Sequence, residues 1–133
     1  MPIRKPKLRF SITCDDIRHE VGNKLSFMGV YGKDIVLSKI PLTFPKLCVA
    51  LFYENLAGGD YFSIKGTDPS GKQIGNIVSG SVPEGEKGKI TLTITAIFGN
   101  ITIDEEGTFK IMVVFNDDEK TKEFVDIPIK IRK

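Results

Sequence analysis

The sequence predicts an all-β protein, an antiparallel β-sandwich of seven to nine strands with little helix. Apolar and polar residues alternate in four separate segments, as in strands that bury one face. Clusters of Gly, Pro, Asn and Asp separate these segments at short intervals, which is typical of sandwiches. No window of roughly 11 residues keeps apolar residues at helical spacing without an interrupting Gly or Pro.

The four alternating segments are residues 8–14, 90–96, 109–115 and 125–131. In the first of them Leu8, Phe10, Ile12 and Cys14 share one face, which predicts that the Cys14 thiol points into the core. Weaker strands are predicted over residues 24–31, 46–55, 61–67 and 73–81. The best candidate for a helical turn lies within residues 15–20.

Turn residues agree with this division. Asp68-Pro69-Ser70-Gly71 has the composition of a type I turn, and Gly99-Asn100 suits a two-residue hairpin. Further reversals are predicted at Gly58-Gly59 and at residues 116–119. Pro128 has no N–H, so the last strand is predicted to lie at a sheet edge or a bulge.

Length and charge restrict the class of protein. A chain of 133 residues and 14.8 kDa predicts one domain over residues 1–133, with residues 1–6 as a flexible basic tail. The net charge of +2 makes nucleic acid an unexpected partner, although basic residues collect near both termini. No apolar run is long enough for a membrane span or an export signal, so we expect a cytoplasmic protein. Its two cysteines are then expected to be reduced, with a Cys14–Cys48 disulfide as the alternative.

Two segments resemble known proteins. Asp104-Glu105-Glu106-Gly107-Thr108-Phe109, with the alternating hairpin after it, resembles the closing hairpin of immunoglobulin-like sandwiches, although Phe109 lacks the hydroxyl of a tyrosine corner. Cys14-Asp15-Asp16-Ile17-Arg18, followed by the segment from Gly22 to Tyr31, resembles the opening of a family of short bacterial proteins of unknown function. The first resemblance implies a fold class, and neither implies an activity.

Residues 14–20 contain the one cluster that mixes metal-ligand and nucleophile side chains: Cys14, Asp15, Asp16, His19 and Glu20. On a helical turn Asp16, His19 and Glu20 would share a face and could bind a metal. The alternative is a structural corner in which Asp15 or Asp16 caps the turn. His19 is the only histidine and no nucleophile motif accompanies it, so the sequence predicts no catalytic residues and no cofactor.

Two further groups of charged residues are interpreted as solvated turns. Residues 85–89 are glycine-rich and basic but lack the spacing of a phosphate-binding loop. The acidic groups 104–106 and 117–119 flank one strand, which would place them roughly 30 Å apart, too far for a shared calcium site.

Several predicted strands are apolar on both faces. The residues on the second face are Met28, Val30, Cys48, Ala50, Phe52, Met112 and Val114. Either the segment 32–45 folds over them or their strands are central in the sheets, or they form an interface with a second copy or another protein.

The sequence therefore favours a non-enzymatic interaction or structural module that presents a sheet face or loops to a protein partner, possibly to itself. The alternative is a small-molecule or metal-binding protein that uses Asp15, Asp16, His19 and Glu20.

Overall fold

The structure, a computed structural model, describes residues 6–84 and 90–132. They form nine strands and no helix. The strands are β1 (Lys7–Glu20), β2 (Lys24–Val30), β3 (Ile35–Leu37), β4 (Leu42–Leu56), β5 (Tyr61–Thr67), β6 (Gln73–Ser81), β7 (Ile90–Ile103), β8 (Gly107–Phe115) and β9 (Asp118–Ile131). The all-β prediction is confirmed, and each of the eight segments predicted as strands lies in a strand, apart from Tyr31, which follows the end of β2.

The strands form two sheets. The first has the order β2-β1-β4-β7 and is antiparallel throughout. The second has the order β3-β9-β8-β5-β6, in which β3 pairs with the end of β9 in the parallel direction. The predicted antiparallel β-sandwich is confirmed, and this one short pair is the parallel exception to it. The immunoglobulin-like relationship stays a prediction.

A single large apolar core lies between the two sheets. β4 contributes Leu47, Val49, Leu51 and Tyr53 from the first sheet, all essentially inaccessible to solvent. β8 contributes every second residue of the segment 109–115 from the second sheet. Both strands lie inside their sheets, with a hydrogen-bonded strand on each side.

Strand β1 changes the direction of its side chains at Arg9. Leu8 lies opposite Tyr53 and packs against the large core, but the register shifts by one residue before Phe10 pairs with Phe52. A bulge of this kind turns every later side chain to the other face. The prediction that Leu8 and Cys14 share a face is therefore wrong, because Cys14 faces away from the large core.

Strand β7 contains a related irregularity. Gly99 and Asn100 do not form the predicted hairpin but lie inside the continuous strand, where Asn100 has a positive φ of 52°. Asparagine tolerates this conformation better than most residues. Phe98 and Ile101 consequently both face the core, although strict alternation would place them on opposite faces.

The other predicted reversals are turns or strand connections. The chain turns at Gly58-Gly59 and at Asp68-Pro69-Ser70-Gly71, where Gly71 N–H donates to the Asp68 carbonyl at 2.9 Å. Asn116 and Asp117, both with positive φ, connect β8 to β9. The last strand, β9, lies between β3 and β8 and is not the edge strand that was predicted, but the β3 pairing begins only at Ile129, after Pro128.

The predicted basic tail is described only at its end. Residues 1–5 lie outside the described residues, and Pro6 is buried. Lys7 and Arg9 lie on β1 within 4 Å of Glu54, whereas Lys130 lies on β9 of the other sheet and pairs with Asp34. Within the described ranges no helix long and apolar enough to cross a membrane is found.

Candidate functional site

The segment from Asp15 to Glu20 is extended and not helical, so the predicted helical turn is wrong. Asp16 to Glu20 continue β1 and pair with Met28 to Lys24 of β2, which satisfies the backbone without a helix. In a strand Asp16 and His19 project from opposite faces. The arrangement proposed for a metal, with Asp16, His19 and Glu20 on one face, does not form.

The hairpin made by residues 15–30, called the folded hairpin below, bends back over the outer face of its own sheet. Phe27 pairs with Ile17, while Phe52 pairs with Phe10, seven residues earlier on β1. If β1 were straight, Phe10 and Ile17 would lie roughly 23 Å apart along the strand, and their partners Phe52 and Phe27 would be equally far apart. The Phe27 and Phe52 ring centroids are 6.2 Å apart, so the chain must reverse its direction between them.

The folded hairpin buries a second, smaller apolar cluster. Its fully or almost fully buried members are Cys14, Ile17, Cys48 and Ala50, and Ile12, Leu25, Phe27 and Phe52 pack around them. We call these eight residues the outer cluster. It accounts for the second apolar face of β1 and β4, because residues of the folded hairpin cover it.

The two cysteines lie directly under the bend. Cys14 and Cys48 are cross-strand neighbours, and both are free thiols. The Cys14 thiol donates to the Asp16 carbonyl at 3.3 Å, and the Cys48 thiol donates to the Asp15 carbonyl at 3.7 Å. Burial raises the pKa of both thiols, which keeps them protonated and unreactive.

The bend depends on Gly29 and Asp15. Gly29 has a positive φ of 68°, which favours glycine. A β-carbon there would overlap Asp15 Oδ2 and lie 2.9 Å from Asp15 Cγ. The Tyr31 hydroxyl donates to Asp15 Oδ1 at 2.7 Å and so fixes the carboxylate beside the glycine. Burial, followed by this hydrogen bond, raises the pKa of Tyr31.

Asp16 and Lys46 connect the folded hairpin to β4. Lys46 Nζ lies 2.6 Å from Asp16 Oδ1, and Arg18 Nε lies 3.6 Å from Asp16 Oδ2. The hydrogen bond from Lys46 lowers the pKa of Asp16 and raises the pKa of Lys46. The Asp16 carboxylate therefore stabilises the bend and is not free to act as a metal ligand.

This pair predicts a pH dependence. A carboxyl group whose pKa is lower in the folded state stabilises the fold above its unfolded pKa of about 3.9, and that stability is lost as the pH falls through the folded pKa. Asp16→Asn is expected to lower the melting temperature at pH 7 and to flatten its decline below about pH 4, and Lys46→Met should do the same. Thermal melts between pH 2 and 7 measure both effects. If the melting temperatures of wild type and Asp16→Asn fell equally steeply with decreasing pH below about pH 4, this role of the pair would be contradicted.

A groove lies between the tip of the folded hairpin and the outer face of β7. Its volume is about 490 Å³. Its lining residues are His19, Glu20, Asn23, Lys24 and Leu25 of the hairpin and Thr91, Leu92, Thr93 and Thr95 of β7. Of the predicted site residues, His19 and Glu20 therefore line this groove, and Asp15 and Asp16 are not among its lining residues. The sequence offered no signal for the groove, because it depends on the bend.

The chain was also compared with known proteins. Over residues 9–131 it matches a protein family described as "Family of unknown function (DUF6941)". The chain belongs to this family. The match extends from β1 to the end of β9 and so includes both sheets and the folded hairpin. No curated protein matches the chain.

The seven residues predicted as an interface do not form one surface in this DUF6941 protein. Cys48 and Ala50 are fully buried in the outer cluster, and Phe52 is partly covered. Met28 and Val30 remain exposed on the folded hairpin, at 43% and 57% of their surface. Met112 and Val114 lie on β8, in the other sheet, where Val114 is buried. The prediction that these seven residues form a single contiguous interface is therefore wrong.

The segment 32–45 does not cover the second face either. It crosses to the second sheet as β3, and its Ile35 and Leu37 side chains are part of the large core. The covering element of the DUF6941 chain is the folded hairpin, which comes before that segment. Sequence reasoning missed it because the bulge at Arg9 and the bend at Gly29 both interrupt simple alternation.

The remaining charged groups are parts of turns and connections. The strand β8 lies between the two acidic groups, as predicted, and the Asp117 carboxylate accepts a 2.7 Å hydrogen bond from the Tyr61 hydroxyl. Glu106 Oε1 accepts from the backbone N–H of Ile131. Residues 85–89, predicted as a basic turn, lie outside the described residues.

Proposed function

We propose that this DUF6941 protein is a non-catalytic protein-interaction module that binds an extended polypeptide segment by strand addition along β7. The observation that carries the proposal is the unprotected edge of β7. β7 pairs with β4 on one side, and no other strand of the described residues pairs with its opposite side. An unpaired edge presents backbone N–H and C=O groups that a further strand can satisfy.

The sequence of β7 differs from the edges that proteins protect. From Ile90 to Phe98 it contains no charged residue, no proline and no glycine, and most of its residues are β-branched. Charged side chains, prolines, bulges and shortness are the usual means by which an edge strand avoids pairing. The first nine residues of β7 have none of these features themselves, because the register shift opposite Ile90 and Leu92 places the extra residue on β4.

The other edges of the two sheets do carry such features. β3 has only three residues, and β2 has seven and is bent at Gly29. β6 contains Gly75 with a positive φ of 63°, and its pairing with β5 shifts register nearby. The part of β1 before Cys14 has no β2 partner but carries Lys7 and Arg9. Residues 118–128 of β9 also have no described strand on the side away from β8, but they include six charged residues and Pro128. β7 is therefore the edge best suited to accept a strand.

The groove adds a place for side chains of the bound segment. A strand added to β7 would lie about 4.8 Å from it, beside the outward row of Thr91, Thr93 and Thr95. The hairpin tip, with His19 and Lys24, forms the opposite wall of that groove. Backbone pairing would supply affinity, and the groove would supply selectivity for alternate side chains.

The geometry gives less support to the alternative of a metal or small-molecule site at residues 15–20. Asp15 accepts from Tyr31, Asp16 is paired with Lys46, and His19 projects from the opposite face to Asp16. Among residues 6–84 and 90–132 no group of three His, Cys, Asp or Glu side chains could hold a metal ion.

A peptide can test strand addition directly. The probe is a fluorescein-labelled peptide with the sequence of residues 90–98 and two lysines at each end for solubility. We expect saturable 1:1 binding in fluorescence anisotropy at protein concentrations of about 1 μM or below. We also expect the peptide to slow amide hydrogen exchange in residues 90–98 of the protein, because edge amides would gain partners.

The control is the same peptide with proline in place of the residues that correspond to Thr93 and Thr95. Because proline has no backbone N–H, this peptide cannot complete the hydrogen-bond ladder of a strand. Its binding should be lost. The proposal is wrong if both peptides bind equally, if neither binds, or if the exchange of β6 rather than β7 is slowed.

A further inference from the structure

We infer that the strand that adds to β7 is the β7 strand of a second copy of this chain, which would join two four-stranded sheets into one sheet of eight strands around a twofold axis. This inference rests on the proposed function, because it names the occupant of the same edge. It commits to an isologous dimer, in which one surface patch pairs with itself.

Self-pairing of β7 meets no electrostatic obstacle. Like charges directly opposite each other destabilise a sheet, but residues 90–98 carry no charge, so no register of two copies places like charges together. The second half of β7 is less suitable for pairing, because the positive φ of Asn100 interrupts the regular alternation of side chains between the two faces of the strand. The uninterrupted segment 90–98 is therefore the part that can pair.

An antiparallel register centred on Ile94 is self-complementary. It places Thr93 opposite Thr95 of the second copy on the outer face, and cross-strand threonine pairs are favourable. On the inner face it places Leu92 opposite Ala96 of the second copy, so that a large side chain meets a small one. Thr93 and Thr95 are partly exposed in the single chain, which leaves them accessible for this pairing.

The hairpin tips are compatible with the same twofold axis. Each tip lines its groove with one carboxylate, Glu20, and one ammonium group, Lys24. Two tips brought toward each other beside the paired β7 strands therefore carry balanced charges and do not repel. In the dimer the threonine rows of both copies would lie side by side between the two tips.

Sedimentation velocity on the full chain, from about 1 to 200 μM, tests the inference. We expect wild type to form a dimer of twice the 14.8 kDa chain mass. Thr93→Lys with Thr95→Lys would set ammonium groups opposite each other, and we expect the dimer Kd to rise about 100-fold. Thr93→Lys with Thr95→Glu sets opposite charges across the axis and should restore the dimer. Circular dichroism checks that each variant is folded.

Ser79→Lys with Ser81→Lys is the matched control, because it adds two lysines to exposed positions of β6, an edge strand of the other sheet. It should leave the dimer unchanged. The inference is overturned if wild type is monomeric throughout, if the double-lysine variant on β7 still dimerises, or if the charge-complementary variant does not recover. A monomer that nevertheless binds the peptide of residues 90–98 would leave strand addition standing and exclude only the second copy.

Discussion

Gly29→Ala is expected to expose the thiols of Cys14 and Cys48. Both thiols are inaccessible to solvent because the folded hairpin lies over them. A residue other than glycine with a positive φ costs about 1–2 kcal/mol, and the added β-carbon would also overlap the Asp15 carboxylate. Each 1.4 kcal/mol is a factor of ten in an equilibrium. The fraction of molecules with an open hairpin should therefore rise at least about tenfold.

The rate at which an aromatic disulfide reagent labels the two thiols under native conditions measures this opening. Gly22→Ala is the control. Gly22 also has a positive φ, at 86°, and lies at the tip of the same hairpin, but a β-carbon there would meet only the end of Lys24, at 3.9 Å. Both substitutions carry the cost of a positive φ, but only Gly29→Ala adds the overlap with Asp15, so Gly22→Ala should increase labelling less. Equal labelling rates in wild type and Gly29→Ala would show that Gly29 does not hold the hairpin down.

Phe52→Lys is expected to destabilise the fold by about 3 kcal/mol. Phe52 stacks on Phe10 with the ring centroids 4.3 Å apart, and Phe27 of the folded hairpin covers it. The substitution removes these contacts and places an ammonium group among the apolar side chains under the hairpin. Urea unfolding monitored by circular dichroism gives the free energy of unfolding.

Ile97→Lys provides the comparison for Phe52→Lys. Ile97 lies on the same outer face, opposite Cys48, but 55% of its surface is exposed. We expect a change of less than about 0.5 kcal/mol. A folded Phe52→Lys variant with the stability of wild type would mean that Phe52 is a surface residue and that the outer cluster is not part of the core.

Much of the fold could be predicted because strand polarity is a local property. The segments 61–67 and 73–81 coincide with β5 and β6 as predicted, since both have turn residues at each end. The run of apolar residues in the sequence of β4 also indicated that both faces of this strand are apolar. In the structure one face packs in the large core and the other in the outer cluster. The resemblance of the opening segment to a family of unknown function agrees with the family match over residues 9–131.

The candidate site could be predicted only in part. His19 and Glu20 were singled out as polar residues of one corner, and both line the groove, but Thr91, Thr93 and Thr95 were interpreted only as the solvent face of a strand. Those threonines come about 70 residues later in the sequence. Nothing local in either segment indicates that they meet.

The amino-acid sequence by itself determined that the chain is extended almost throughout and where most turns occur, because alternation and turn residues act over a few positions. Tertiary structure alone decided which face each strand buries after the bulge at Arg9 and what covers Cys48. It also decided that, among the described strands, β7 has a long unpaired edge that begins without charged residues. These features depend on register and on the fold of a hairpin over its own sheet, and a one-residue shift in register reverses every side chain that follows.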